Sequence, residues 1–297
     1  MTNRLSTLLL LIMGFLLLIS CSKEESKNET VQEDKSEEIR LISLSGFLTE
    51  TLFELGMGES IIGRDITSTY PVDKVADIPS LGHVSKLNME AILSLNPQWV
   101  LLESSQLKQA QELEKLEQAG IKILSVPSSH SLGNAYTAAS FIADKMDIPQ
   151  EDLAGMQESI VEDSLALMKK LEEYGEDKPR VLFIYARGAG RLMVGGNNTS
   201  ASAIIEKAGG VNAIQSFDNF QALTPESLVE ASPDVILMFT SGIASLDGKE
   251  GLGTIPGVAQ TPAYKNDKIV AMDGHYLTAF GPRAGKAALE LAEAIHK

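Results

Sequence analysis

Apolar and polar positions along this chain fall into two kinds of block. Short, largely apolar runs occur at residues 39–44 (IRLISL), 99–102 (WVLL), 121–126 (IKILSV), 180–185 (RVLFIY), 235–239 (VILMF) and 268–272 (KIVAM). Runs of this length, rich in Ile, Leu and Val and lacking strict alternation, predict strands buried on both faces. Residues 60–63 (SIIG) form a further, shorter candidate. Between them lie stretches with helical spacing at 47–55, 106–119, 135–146 and 200–208, stopped by glycines at 56, 58, 120 and 209–210. The 106–119 stretch places Leu107, Ala110, Leu113, Leu116 and Ala119 on one face. Pro282-Arg283 opens a last helix to His296, since proline suits a first turn where its missing N–H is not needed. Residues 188–198 read as a glycine-rich turn and 273–281 as a loop. Strands alternating with helices predict an α/β fold with parallel sheets covered on both faces.

One stretch occurs twice. Residues 80–105 carry a loop with His83, a helix opening near residues 88–90 and the 99–102 strand. Within it, Leu87, Glu90, Pro97 and Val100 align without a gap on Leu223, Glu226, Pro233 and Ile236, 136 positions later. The second copy predicts a helix at 225–231 before the 235–239 strand. Two copies of one unit predict two similar lobes, and only the first copy is preceded by a histidine. Between the copies, residues 151–174 carry Leu153, Met156, Ile160, Leu167, Met168 and Leu171 at mostly three- and four-residue steps, ended by Gly175 and Pro179. That is a helix of roughly 36 Å, read as a rigid strut joining the lobes or as one more surface helix of a single domain. The expected fold is α/β with two lobes, each a mainly parallel sheet flanked by helices, joined by one long spacer helix. The lobes are 39–150 and 176–297, with the spacer at 151–175.

The ends of the chain alter this picture. Residues 1–21 combine Arg4 with an apolar run too short for a comfortable span and end in Leu18-Ile19-Ser20-Cys21. That ending looks like a bacterial lipobox, in which Cys21 is lipidated and becomes the mature N-terminus; an uncleaved anchor helix is the alternative. Either reading puts the body outside the cytoplasm at a membrane surface. Cys21 is the one cysteine in the sequence, so disulfides and cysteine-based zinc sites are ruled out. Residues 22–38 hold seven acids against three lysines and one aliphatic residue, the composition of a disordered tether. With 44% hydrophobic and 22% charged residues the chain is otherwise ordinary, and its net charge of −15 argues against a nucleic-acid partner.

Enzyme signatures are nearly absent. There is no G-x-S-x-G elbow and no P-loop lysine, and after Gly188-x-Gly190 the position a dinucleotide fingerprint gives to glycine is Met193. The chain reads as a binding protein. Of four histidines, His296 is next to the C-terminus, whereas His83, His130 and His275 lie in loops at strand or helix ends, the side on which open α/β sheets bind ligands. Gly82 and the following helix hold His83 in place. A zinc site from these three lacks close ligand spacing. Glu90 and Glu226 occupy matched first turns of their helices. There they either complement the helix dipole, by roughly 0.3–1 kcal/mol each, or offer one exposed acid per lobe to a two-fold partner.

The lipobox, the E-x-x-x-x-x-x-P repeat, the spacer and the Phe280-Gly281-Pro282-Arg283 ending resemble the substrate-binding lipoproteins of bacterial ABC importers. The class is the helix-spanned one that captures haem, cobalamin or ferric siderophores. Gly63-Arg64-Asp65, Leu81-Gly82-His83 and Met272-Asp273-Gly274 look most like the haem-binding subgroup. The resemblance implies a monomer in the cell envelope that holds haem between its lobes and delivers it to an ABC permease dimer with its ATPase, whose arginines would meet Glu90 and Glu226. It puts His83 where many relatives have an axial tyrosine; imidazole also ligates haem iron and favours the ferric state less strongly. At Thr240-Ser241-Gly242 this chain lacks an arginine that relatives often have. His275 is the expected second axial ligand, with His130 or Tyr276 as lesser candidates. Arg64 and Lys86 come first as propionate donors, with Arg187, Arg191 and Arg283 behind them. Cobalamin or a ferric siderophore is the alternative cargo, and a surface-anchored metal chaperone the alternative role.

Overall fold

Two mainly parallel sheets, each containing one copy of the repeat, form the frame. The computed structural model describes residues 39–109 and 113–297. The expected lipobox with Cys21, the expected tether at 22–38 and Ala110 lie outside the described residues. The first sheet contains β1 (Leu41–Ser43), β2 (Ile61–Arg64), β3 (Trp99–Glu103) and β4 (Lys122–Val126) in the order β2-β1-β3-β4, all parallel. The second contains β5 (Arg180–Ala186), β6 (Leu192–Gly195), β7 (Val211–Asn212), β8 (Phe220–Ala222), β9 (Val235–Phe239) and β10 (Ile269–Met272). Its parallel part runs β7-β5-β9-β10, the arrangement of the first sheet repeated. The repeat strands β3 and β9 are interior and nearly completely buried, which is why both read as continuous apolar runs.

Strands β6 and β8 extend the second sheet in antiparallel fashion, so the turn expected at 188–198 is instead a hairpin. Gly188 makes it feasible: at φ +71 it lets the chain reverse, with backbone bonds linking Arg187 and Arg191. Of the helix expected at 106–119, the described residues show a 3-10 turn, Ser104–Gln109, and a helix, Leu113–Gln118. The Gln106 side chain turns back to accept the Glu103 N–H, which tightens that turn.

The helices that matter for the site are α1 (Gly46–Glu54), α2 (Met89–Ser94), α3 (Asn134–Met146), α4 (Ala154–Tyr174), α5 (Ser200–Lys207), α6 (Pro225–Ala231), α7 (Gly274–Thr278) and α8 (Ala284–Ile295). The short helix α7 replaces the loop expected at 273–281, because the Asp273 carboxylate caps it by accepting the Tyr276 N–H. The final helix starts two residues beyond Pro282. The spacer opens with a 3-10 turn, Gln150–Leu153, and continues as the 21-residue α4, roughly 32 Å long. Its first half packs Met156 and Ile160 into the core of the first lobe. Its second half packs Leu167, Leu171 and Tyr174 into the core of the second. Bending between the lobes therefore requires either bending α4 between Ile160 and Leu167 or opening one of the cores.

The two repeats are closed by the same devices. Asn88 caps α2 and Thr224 caps α6, each side chain accepting an N–H three residues on. Each helix ends at a left-handed residue, Asn96 or Ser232, followed by proline. An arginine from the edge of the first strand of each lobe then binds the freed carbonyls. Arg40 donates to Leu95 O at 2.7 Å, and Arg180 to Ala231 O at 2.9 Å and Ala213 O at 3.2 Å. The bonds to Leu95 and Ala231 satisfy helix-end acceptors that have no partner within the helix, and the bond to Ala213 ties in the residue after β7. Replacing either arginine with alanine is expected to lower stability in urea unfolding by about 1–3 kcal/mol, more at Arg180 than at Arg40. Unchanged midpoints would show that the carbonyls are satisfied without them.

Candidate functional site

Parallel strands present their carboxyl ends on one side, and here both sheets turn that side toward a common cleft of about 860 Å³. Its lining follows the strands in order. Gly46 and Phe47 come after β1, Thr67 and Thr69 after β2, Ser105 and Gln106 after β3, and Ser128–His130 after β4. From the second lobe, Arg187 follows β5, Ser241 follows β9, and His275 with Thr278 comes after β10. Hydroxyl side chains dominate, and Phe47 and Phe239 add apolar surface, one from each lobe. Arg187 is the cation of this lining, while Glu103 and Asp273 supply negative charge.

The Thr67–Thr69 wall is shaped by Asp65, whose buried carboxylate accepts from the N–H and hydroxyl groups of Thr67 and Ser68 at 2.7–3.1 Å. Such full satisfaction is what permits a carboxylate to be buried. Thr67 in turn accepts the Gly46 N–H at 3.0 Å, binding the loop to the start of α1. Gly46 is held to glycine by packing: a side chain there would run into Thr67 O and the His275 ring.

Beside the cleft the lobes are locked together. Glu50 on α1 has 3% of its side chain exposed and accepts two bonds from Arg283, at 2.7 and 2.9 Å, and one from His275 Nε2 at 3.0 Å. Arg283 is also stacked on Tyr70 at 3.5 Å and on Tyr276 at 4.9 Å. Burial by itself disfavours the Glu50 anion and is the largest influence on it. The bonds and charges of Arg283 and His275 outweigh that burial, and its pKa lies below the ordinary glutamate value. Nearby, Asn134 donates to Phe280 O at 3.2 Å and the His130 ring lies 5.2 Å from that of Phe280.

These contacts correct several sequence expectations. His275, the expected second axial ligand, lines the cleft with Nε2 bonded to Glu50 and its ring packed against Gly46, so its orientation is fixed by the contact between the lobes. Arg283 is committed to Glu50 and is not a free propionate donor. Tyr276 donates its hydroxyl to Glu290 at 2.9 Å, and burial together with that bond pushes its pKa up, so it offers no ready phenolate. Arg64 binds the carbonyls of Val75 and Ser68 at 2.9 and 3.1 Å, holding its own loop rather than facing the cleft. Lys86 is exposed on the 3-10 turn Val84–Lys86.

His83 caps that turn and is exposed, outside the cleft lining proper. The preceding carbonyl, Gly82 O, accepts the Ile66 N–H, which puts the His83 loop against the segment that supplies Thr67. His130 is exposed and lines the cleft, and among the described residues no hydrogen bond engages its ring nitrogens. Glu90 and Glu226 are exposed in the first turns of α2 and α6. Sequence reasoning missed Glu50 altogether. Among the described residues no group of three His, Cys, Asp or Glu side chains is placed to hold a metal ion, and no helix is long and apolar enough to cross a membrane.

Two α/β lobes joined by a helix shared between their cores, with strand ends converging on one cleft, define a bilobal ligand-binding protein. The chain belongs to the periplasmic binding protein family, which it matches over residues 41–276. It is similar to the periplasmic heme-binding protein RhuT from Roseiflexus sp. RS-1, solved in apo form, at 33% identity and a TM-score of 0.78, covering 87% of this chain and 98% of that one. It is 25% identical to the uncharacterised ABC transporter substrate-binding lipoprotein YvrC of Bacillus subtilis (strain 168), over 88% of this chain and 81% of that one. It is 24% identical to a cobalamin-binding protein of Halobacterium salinarum (strain ATCC 29341 / DSM 671 / R1), over 93% and 74%. Family membership places the protein outside the cytoplasm, as a substrate-binding component of transport.

The lock makes a pH prediction. A carboxyl whose folded pKa is depressed contributes stability above its unfolded pKa and loses it as pH falls through the folded value. Glu50→Gln is expected to cost on the order of 3 kcal/mol at pH 7, because it leaves Arg283 without its buried partner. The gap to wild type should close as the pH is lowered below the ordinary glutamate range. A gap that keeps its full pH 7 size down to pH 3 in thermal unfolding would refute the assignment of that stability to the ionised pair.

Proposed function

We propose that the protein captures haem in the inter-lobe cleft and delivers it to an ABC permease, without chemistry of its own. The observation that carries this reading is the likeness to RhuT at 33% identity over nearly the whole of that heme-binding protein. The cleft supports it in size and character. About 860 Å³ falls within the range of small-molecule sites, with an aromatic ring from each lobe to meet an apolar face.

His83 is the first iron ligand in this reading. Its Nδ1 accepts the Ser85 N–H at 3.2 Å and lies 2.9 Å from the Ser85 hydroxyl. In that arrangement the imidazole proton is on Nε2. Ligation through Nε2 requires the proton to move to Nδ1, giving up the Ser85 N–H bond, after which Nδ1–H donates to the Ser85 hydroxyl oxygen, the kind of outer partner that orients a ligating histidine. With His275 and Tyr276 engaged elsewhere, His130 takes the role of second ligand. Arg187 in the cleft and Lys86 beside His83 are the cations for the propionates, in place of Arg64 and Arg283. Glu90 and Glu226 form the docking pair for the permease, and Cys21 is the site of the lipid anchor, a reading supported by YvrC, itself a lipoprotein. Cobalamin is the second reading, favoured by the Halobacterium relative.

Titrating the purified protein with hemin and, separately, with cobalamin is expected to give tight stoichiometric binding of hemin and a low-spin Soret spectrum. His83→Ala and His130→Ala should each convert that spectrum to high-spin and weaken binding. If both variants keep the wild-type spectrum, the ligand assignments fall. If cobalamin binds and hemin does not, the cargo is cobalamin.

A further inference from the structure

The matched helices α2 and α6 share more than a glutamate. From Glu90 to Ser94 and from Glu226 to Glu230 the pattern is identical: exposed, half-buried, buried, exposed, exposed. The buried member is the aliphatic anchor Ile92 or Leu228, at 0% and 1% exposure. Three residues after each glutamate, one helical step along the same face, stands an aliphatic residue turned to solvent: Leu93, 48% exposed, and Val229, 78% exposed. Both belong to the few large hydrophobic residues left open on the described surface. An isolated exposed leucine is unremarkable. Here the same kind of side chain recurs at the same repeat position in both lobes, beside the same acid, on helices capped and terminated in the same way.

We propose that Leu93 and Val229 are apolar docking contacts, each entering a small apolar depression beside a cationic side chain on a two-fold-related membrane partner. The proposal rests on the permease-docking reading of Glu90 and Glu226 and deepens it, splitting the surface into two components. The acids supply long-range attraction that salt screens. The aliphatic pair supplies short-range burial that salt does not weaken. An acid set against a cation with an apolar side chain adjoining it is complementary to such a partner in both charge and polarity.

The test uses the full-length protein and the cognate permease–ATPase complex in lipid nanodiscs, with binding measured at low and high salt. Wild type is compared with Leu93→Ser/Val229→Ser and with Glu90→Lys/Glu226→Lys, and an unchanged haem spectrum certifies the fold of each. The serine pair is expected to bind the permease about tenfold or more weakly at both salt concentrations, keeping the wild-type salt dependence. The lysine pair should lose the low-salt advantage. Wild-type affinity in the serine pair, with the lysine pair impaired, overturns the apolar contact and leaves the docking acids standing. Wild-type affinity in both pairs overturns the docking reading and the proposal with it.

Discussion

An ionised carboxylate with almost no access to water constrains everything around it. Glu50 can keep its charge in that position only because Arg283 and His275 meet it, and both belong to the other lobe. Separating the lobes would strand an anion in a half-opened interface and pull the Arg283 guanidinium off both Glu50 and Tyr70, a penalty larger than the worth of a surface ion pair. The cleft is therefore a gap of set width, held along one side by electrostatic necessity and along the back by a helix embedded in both cores. The same lock fixes the His275 ring at the cleft and commits the Arg283 guanidinium to Glu50.

What remains for a ligand is a hydroxyl-rich wall with few charges. Serine and threonine side chains at strand ends bond readily to neighbouring groups, as in the Asp65–Ser68 turn, where the Thr67 and Ser68 hydroxyls donate to the Asp65 carboxylate, and that local bonding fixes the wall before any ligand arrives. Affinity in such a site depends on a handful of groups that are not already engaged. Among the described residues the His130 ring has no hydrogen bond, while Arg187 lies over the Tyr185 ring and His83 is bonded to Ser85, contacts that a ligand would have to exchange.

The parallel framework was legible in the sequence because strands buried on both faces must be apolar throughout, and the repeat spacing carried over intact into the positions of α2, α6, β3 and β9. Strand β8 was not legible. All three of its residues are exposed, so no burial pattern marks it, and β6 is hidden behind glycines. The short helix α7 left a trace that was overlooked, an aspartate three residues ahead of the N–H it caps. Within the site, Glu50 sits one helical step from Phe47 on a buried face, a local sign of a special role. Its partner is 233 residues away, and no local rule joins positions so far apart. Arg283 was misread for the same reason: a cation near a predicted cleft looks free until its distant counter-charge is found.

The spacer helix that feeds both cores has a consequence for transport kinetics. A receptor whose lobes are fixed relative to each other presents nearly the same outer surface whether its cleft is full or empty. If α2 and α6 are what a permease touches, unloaded copies compete with loaded ones for the same transporter. Import would then saturate with the occupied fraction of the receptor rather than with its total amount, and an excess of empty receptor would slow uptake.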